Sequence, residues 1–273
     1  MFHDPYLNGV FNVLGLMAAL ALVETIIPLF PCAVLYRRHL GANLGLTAIT
    51  FGLNCLMNGF LMMGALWVSG QGAGLIQWLN LPLPGAIIVT VIVMDLATYA
   101  AHVLMHKRPF LWRVHLVHHS DAAIDVTTAF RQHPFESLWR FVFLVMAACA
   151  LGAPLAAIAL YRTLSAVNAV LEHANIKVPQ RLDTAITFFW CSPNMHKLHH
   201  SRAKAQTDSN YGNLFSVFDR LFRTFTPSAL VHTVNCGIDG YDDPQVQKLH
   251  NLLKLPFTGD WHAVQHAERE QTV

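Results

Sequence analysis

The chain has 273 residues, with 18 Lys and Arg against 16 Asp and Glu, a net charge of +2 with histidines neutral, and 54% hydrophobic residues. Only 12% of residues are charged, about half the ~25% usual in soluble domains. This excludes an ordinary soluble globule and a disordered chain, and the missing basic surplus excludes a nucleic-acid binder.

Residues 10–35 and 44–68 are apolar for longer than the ~20 residues that span a bilayer, and both read as transmembrane helices. Glu24 inside the first, an ionisable group in a span, reads either as a functional-site candidate or as a helix-packing or capping residue. Residues 83–105 form a third span that carries Asp95 and His102 near its far end; an ionisable group inside a span is costly and marks a functional site. The apolar stretch 137–165 is broken by Gly152, Ala153 and Pro154 and reads as a helical hairpin, a single long crossing being the alternative. With the hairpin, Arg37, Arg38, the basic residues of 107–140 and those of 162–269 all fall on one side, which the positive-inside rule makes cytoplasmic. Residues 1–172 are then the transmembrane region, and 173–273 a helical cap on its cytoplasmic side. Within the cap Leu214, Phe215, Phe218, Leu221, Phe222 and Phe225 recur at helical spacing. They predict an amphipathic helix that lies on the membrane or packs onto the cap. The five cysteines include no CxxC, so neither a disulfide framework nor a thiolate zinc site is indicated.

Histidine is the unusual residue, with 16 copies in a chain poor in polar groups. Nine form a pattern: His102 and His106; His115, His118 and His119; His173; His196, His199 and His200. Positions i, i+3 and i+4 share a helix face, so each HxxHH motif is expected to aim its rings at a common point. Nine neutral nitrogen donors exceed what one zinc site uses and divide between two ions as a dinuclear centre. No HExxH is present, and the Glu-x-x-His pairs of soluble di-iron bundles are absent. Asp95, Tyr99, His102 and His106 step along one face of the third span, which puts the metals at the lipid–water boundary. Asp95, Tyr99, Asp125, Asn175 and Asn210 are candidates to orient the imidazoles through hydrogen bonds. Asp121, Asn194 and Asp208 read as caps or turns. His133 reads as structural or pocket-lining, and His3, His39, His232, His250, His262 and His266 as surface or cap residues.

The run from Asp95 to Glu136, with LWRVHLVHHSDAAIDVTTAFRQHPFE at 111–136, and the run LEHANIKVPQRLDTAITFFWCSPNMHKLHHSRAKAQTDSNYGN at 171–213 resemble the fatty acid hydroxylase / sterol desaturase superfamily of integral-membrane di-iron oxygenases. The likeness covers roughly residues 85–225. It implies a polytopic all-α membrane bundle and two Fe ions held by the eight motif histidines, with His173 as the ninth ligand. It further implies O2 as co-substrate and hydroxylation of a lipid such as a fatty acyl chain or sterol, desaturation being the secondary alternative. Electrons are expected from a separate donor, a cytochrome b5-like or ferredoxin-like protein or a reductase. Ala100 and Val103 depart from the usual pattern but remove no ligand. Two other classes compete. A metal transporter, or a metal-binding protein without oxygenase activity, is expected to place ligands near mid-membrane on several spans. A bis-histidine haem carrier needs only two axial ligands per haem.

Overall fold

In a computed structural model the chain is described over residues 5–30 and 39–258. His3, Cys32, Arg37, Arg38, His262, His266 and Arg269 lie outside the described residues. The principal helices are α1 (Pro5–Ile26), α2 (Leu40–Gly70), α3 (Leu83–Lys107), α4 (Pro109–His119), α5 (Pro134–Leu151), α6 (Leu155–His173), α7 (Pro193–His199) and α8 (Leu249–Thr258). Short helical turns link them, and among the described residues there are isolated bridges but no strand. Of these helices α1, α2, α3, α5 and α6 are long and apolar enough to cross a membrane. The protein is an all-helical, multi-pass membrane protein. Its outer surface fits that setting: Leu22, Leu56 and Trp67 are each about two-thirds exposed, a cost in water that a lipid environment removes.

The five long helices share one polar end. Glu24, late in α1, is buried, and its Oε1 accepts from the backbone N–H of Val126 and of Asn175. It therefore caps the short 3-10 helix Val126–Phe130 from a distance. Asn43, at the start of α2, reaches Asp121 beyond α4. The first turn of α5 and the last of α6 both arrive at this same end, since Glu136 and His173 each lie against a motif histidine. Between them the chain reverses at Gly152, whose φ of 60° is left-handed. At this far end of the bundle Gln77 donates to the Gly152 carbonyl. Both limbs of the hairpin pack along α3, and Ala148, Leu151, Ile158 and Tyr161 join its core.

Two elements differ from expectation. Helix α1 stops at Ile26, short of residue 35, because Pro28 has no N–H to continue it and instead pairs in a bridge with Ile176. The amphipathic helix expected across Leu214–Phe225 is one turn, Val217–Leu221. Asp219 is the cause. Its buried carboxylate accepts from the backbone N–H of Tyr211 and Gly212 and from the Thr224 hydroxyl, so the chain folds around it on both sides. Arg223 takes up the reversal at φ 60°. Phe215 and Phe218 enter the core, while Leu221 and Phe222 face outward.

Candidate metal centre

All nine motif histidines converge. Helix α3 ends with His102 and His106 in its last two turns and is stopped where Arg108, held extended before Pro109, turns the chain into α4. Helix α4 brings His115, His118 and His119, the last residue of α6 is His173, and α7 with its C-cap brings His196, His199 and His200. The rings form two groups, His102, His106, His115, His119 and His199 in one and His118, His173, His196 and His200 in the other. Within each group the candidate ligand atoms lie within 4.8 Å of one another. The HxxHH motifs do not each aim at a common point. His118 leaves His115 and His119 for the four-ring group, and His199 leaves His196 and His200 for the five-ring group. Adjacent positions on an α-helix differ by about 100°, so His118 and His119 diverge into neighbouring sites. The sites abut: the His119 and His200 rings stack with centroids 4.4 Å apart.

The donor chemistry fits a cation in each group. Nδ1 of His102 donates to the Tyr211 carbonyl (2.9 Å), that of His199 to Ser209 (2.6 Å), that of His118 to Arg131 (3.2 Å) and that of His173 to Ala169 (2.7 Å). A carbonyl only accepts, so the single proton of each neutral ring is fixed on Nδ1 and Nε2 keeps a lone pair. Yet the Nε2 atoms of His102 and His199 stand 3.1 Å apart, and those of His118 and His173 3.2 Å apart. Two lone pairs at that distance repel and have no proton to share; a cation between them turns repulsion into coordination. Nitrogens about 2.1 Å from one ion at roughly right angles are about 3 Å apart, which matches these contacts and those of His196 with His173 and His200. Burial, reinforced by neighbouring imidazoles, pushes His118, His119, His196 and His200 down from their ordinary values, and burial takes His199 to about 3. The rings are therefore held in the neutral, metal-binding form.

The residues expected to orient the rings do other work. Asp95 accepts from the backbone N–H of Leu214 and Phe215 and from the Asn213 amide, so it clamps α3 to the later chain. Tyr99 hydrogen-bonds Thr224 and stacks on Phe222. Asp125 caps the 3-10 helix, Asn175 pairs with both backbone groups of Phe30, and Asn210, at φ 57°, pairs with both backbone groups of Thr226. Tyr99 thus acts through side chains, whereas the other four act on backbone groups, because short polar side chains beside turns find backbone partners first. Asn194 likewise donates to the Val178 carbonyl.

Several residues that touch the rings or brace them carry no motif signal. Glu136 Oε2 lies 3.0 Å from His115 Nδ1, and Asp208, expected to serve only as a cap or turn, lies 3.5 Å from His106 Nδ1 while pairing with Lys107. The Tyr211 ring packs edge-on against His102, His106 and His199. Lys197, inside the second motif and fully buried, donates to the carbonyls of Glu172 and Ala174 and ties α7 to the end of α6. Burial lowers its ammonium to about 8. Arg131 donates to the Val117 carbonyl, Asn43, Ser120 and Gln247, and so fixes the carbonyl that orients His118. His39 is no surface residue: it is buried against Asp121 at 2.9 Å. His133 is structural, capping α5 and contacting the Leu253 carbonyl, and His232 and His250 are exposed. Beside the five-ring group a mostly apolar cavity of about 550 Å³ is lined by Met105, Val114, Glu136, Trp139 and Phe257.

A family model described as fatty acid hydroxylase matches residues 87–224, which hold every one of the nine histidines. Among curated proteins the chain is similar to ornithine lipid hydroxylase OlsE of Rhizobium tropici, 27% identical over 164 residues, 60% of this chain and 48% of that protein. It is also similar to the alkylglycerol monooxygenases of Caenorhabditis elegans, 26% identical over 61% of this chain and 31% of that protein, and of Homo sapiens, 24% identical over 62% and 37%. The matches thus span less than half the length of these relatives. No solved structure matches the chain. Half of the sequence, including both histidine groups, follows the family pattern, and the chain belongs to the fatty acid hydroxylase family.

Proposed function

We propose that the chain is a membrane-bound di-iron monooxygenase that hydroxylates a C–H bond of a lipid. The observation that carries this reading is the division of nine buried imidazoles into groups of five and four with unprotonated Nε2 atoms facing one another. Iron held there supplies the redox chemistry of O2 activation, which redox-inert zinc does not. The overall change is R–H + O2 + 2 e⁻ + 2 H⁺ → R–OH + H2O, and desaturation of the same lipid is the secondary outcome. The chain's own part is positional. Carbonyls of Tyr211, Ser209, Arg131 and Ala169 hold the ring protons on Nδ1, and burial excludes water from the ligand atoms. The rings gather at one end of the spanning helices rather than midway along them, which favours a lipid-facing reaction centre over a conduction path. The named activities of the relatives, lipid hydroxylase and alkylglycerol monooxygenase, support a lipid substrate.

In this reading the metal end faces the cytoplasm, and electrons come from a separate donor of cytochrome b5-like, ferredoxin-like or reductase type. Purified protein in lipid nanodiscs is expected to bind two irons per chain. Supplied with a reductant, heavy-isotope O2 and lipid extract, it is expected to place one labelled oxygen atom in a lipid, read by mass spectrometry. Iron-loaded protein that reduces no O2 and labels no lipid overturns the proposal.

A further inference from the structure

The two histidine groups are not supported alike. In the four-ring group Nδ1 of His118 and of His173 face peptide carbonyls, and Nδ1 of His196 and of His200 have no partner. Among the described residues no carboxylate stands at ion-pair distance from these four rings, whereas Glu136 and, more loosely, Asp208 approach the five-ring group. Glu136 is the closer. Its side chain and that of His115 are fully buried, and neither Oε2 nor Nδ1 has another polar partner. The opposite oxygen, Oε1, accepts from Arg140 Nε at 3.1 Å. Glu136 also sits in the first turn of α5, where the helix dipole favours an anion, and borders the mostly apolar cavity, where its charge is weakly screened.

His115 is the hub of its group, with Nε2 3.1 Å from that of His102 and 3.2 Å from that of His119. When Nε2 is a ligand its proton rests on Nδ1, the atom 3.0 Å from the Glu136 carboxylate. A carboxylate behind an imidazole fixes its tautomer and raises its basicity as a ligand, and loss of such a partner typically costs about 10–100-fold in metal affinity. We propose that Glu136 is a positioning residue that makes the two cation positions unequal, so that the five-histidine group holds iron more tightly than the four-histidine group. This rests on reading the nine imidazoles as a di-iron shell.

The test uses the full chain in nanodiscs, loaded anaerobically with ferrous iron and then challenged with a coloured ferrous chelator. Wild type is expected to release iron in a fast and a slow phase of equal size. Glu136→Gln, which keeps an oxygen acceptor but removes the charge, is expected to speed the slow phase about tenfold or more and leave the fast phase unchanged. Glu136→Asp restores part of the difference. Arg140→Gln, which leaves the carboxylate in place, serves as a second probe, with the slow phase expected to speed up less than in Glu136→Gln. Two irons released with unequal rates that neither Glu136 nor Arg140 variants alter overturn this inference alone, as does equal acceleration of both phases. Wild-type protein that binds fewer than two irons overturns it together with the di-iron reading.

Discussion

His118 and His199 hold the same middle position in the two HxxHH motifs, and each points into the group built from the outer histidines of the other. Helices α4 and α7 are thus interlocked by exchange of one ring. His118→Ala and His199→Ala are each expected to lower bound iron and reduce lipid oxidation more than 100-fold, while the exposed His232→Ala leaves both intact. Because the two rings serve different groups, His118→Ala should keep the slowly released iron and His199→Ala should lose it. Metal analysis after chelator challenge reads the difference, and full turnover in either variant removes that ring from the ligand set.

Asp95 joins α3 to the Asn213–Phe215 segment through bonds of 3.0–3.1 Å. Asp95→Ala leaves two buried backbone N–H groups unpaired, at about 1–3 kcal/mol each. The expected loss is about 3 kcal/mol or more, seen as a lower midpoint in thermal unfolding of the detergent-solubilised protein, with no ligand removed. A midpoint unchanged from wild type would show that the clamp carries no weight.

The ion pair of His39 with Asp121 sets a pH dependence. Burial alone lowers His39, but Asp121 at 2.9 Å and Asp125 at 3.5 Å outweigh it and raise the imidazole from 6.5 to about 10. Asp121 is held below the ordinary carboxylate range despite its burial, by Arg131 and His39. A raised histidine stabilises the fold fully below its unfolded value and loses that contribution as pH rises through the folded value. Stability of the metal-free protein should therefore fall from about pH 6.5 to about pH 10 more steeply in wild type than in His39→Gln. Parallel pH curves for the two proteins would contradict the pairing.

Gly152 turns the hairpin at φ 60°, and an added Cβ would lie 2.6 Å from the Ala73 carbonyl oxygen. Gly152→Ala is expected to destabilise by about 2–4 kcal/mol, from left-handed strain and overpacking together. The damage falls at the far end of the bundle, so iron bound per folded chain should stay at the wild-type value while the yield of folded protein drops.

The clustering of the nine histidines was legible because imidazoles at helical spacing are rare and chemically specific. The hairpin was legible because Gly152 and Pro154 interrupt an apolar run. The exchange of His118 and His199 was not, since spacing says that three rings lie near one face but not that a second motif meets them across it. Asp95 carried the mark of a costly buried acid, and its partner turned out to be backbone more than a hundred residues away. Glu136 carries the same mark at the start of the α5 apolar run, and that signal would have found it. His39 lacks any local pattern: its partners at Asp121 and Asp125 are made by folding alone. The aromatic spacing at Leu214–Phe225 misled because periodicity does not register a carboxylate, Asp219, that captures N–H groups on its own stretch of chain.

The facing lone pairs carry a consequence for biogenesis. Under the di-iron proposal the apoprotein must bring two sets of mutually repelling nitrogens together, so the packing of α3, α4, α6 and α7 at this end is expected to be weaker without metal than with it. Metal uptake then becomes the closing act of maturation, and an iron-starved cell would accumulate loosened, protease-sensitive chains in place of an intact but idle enzyme.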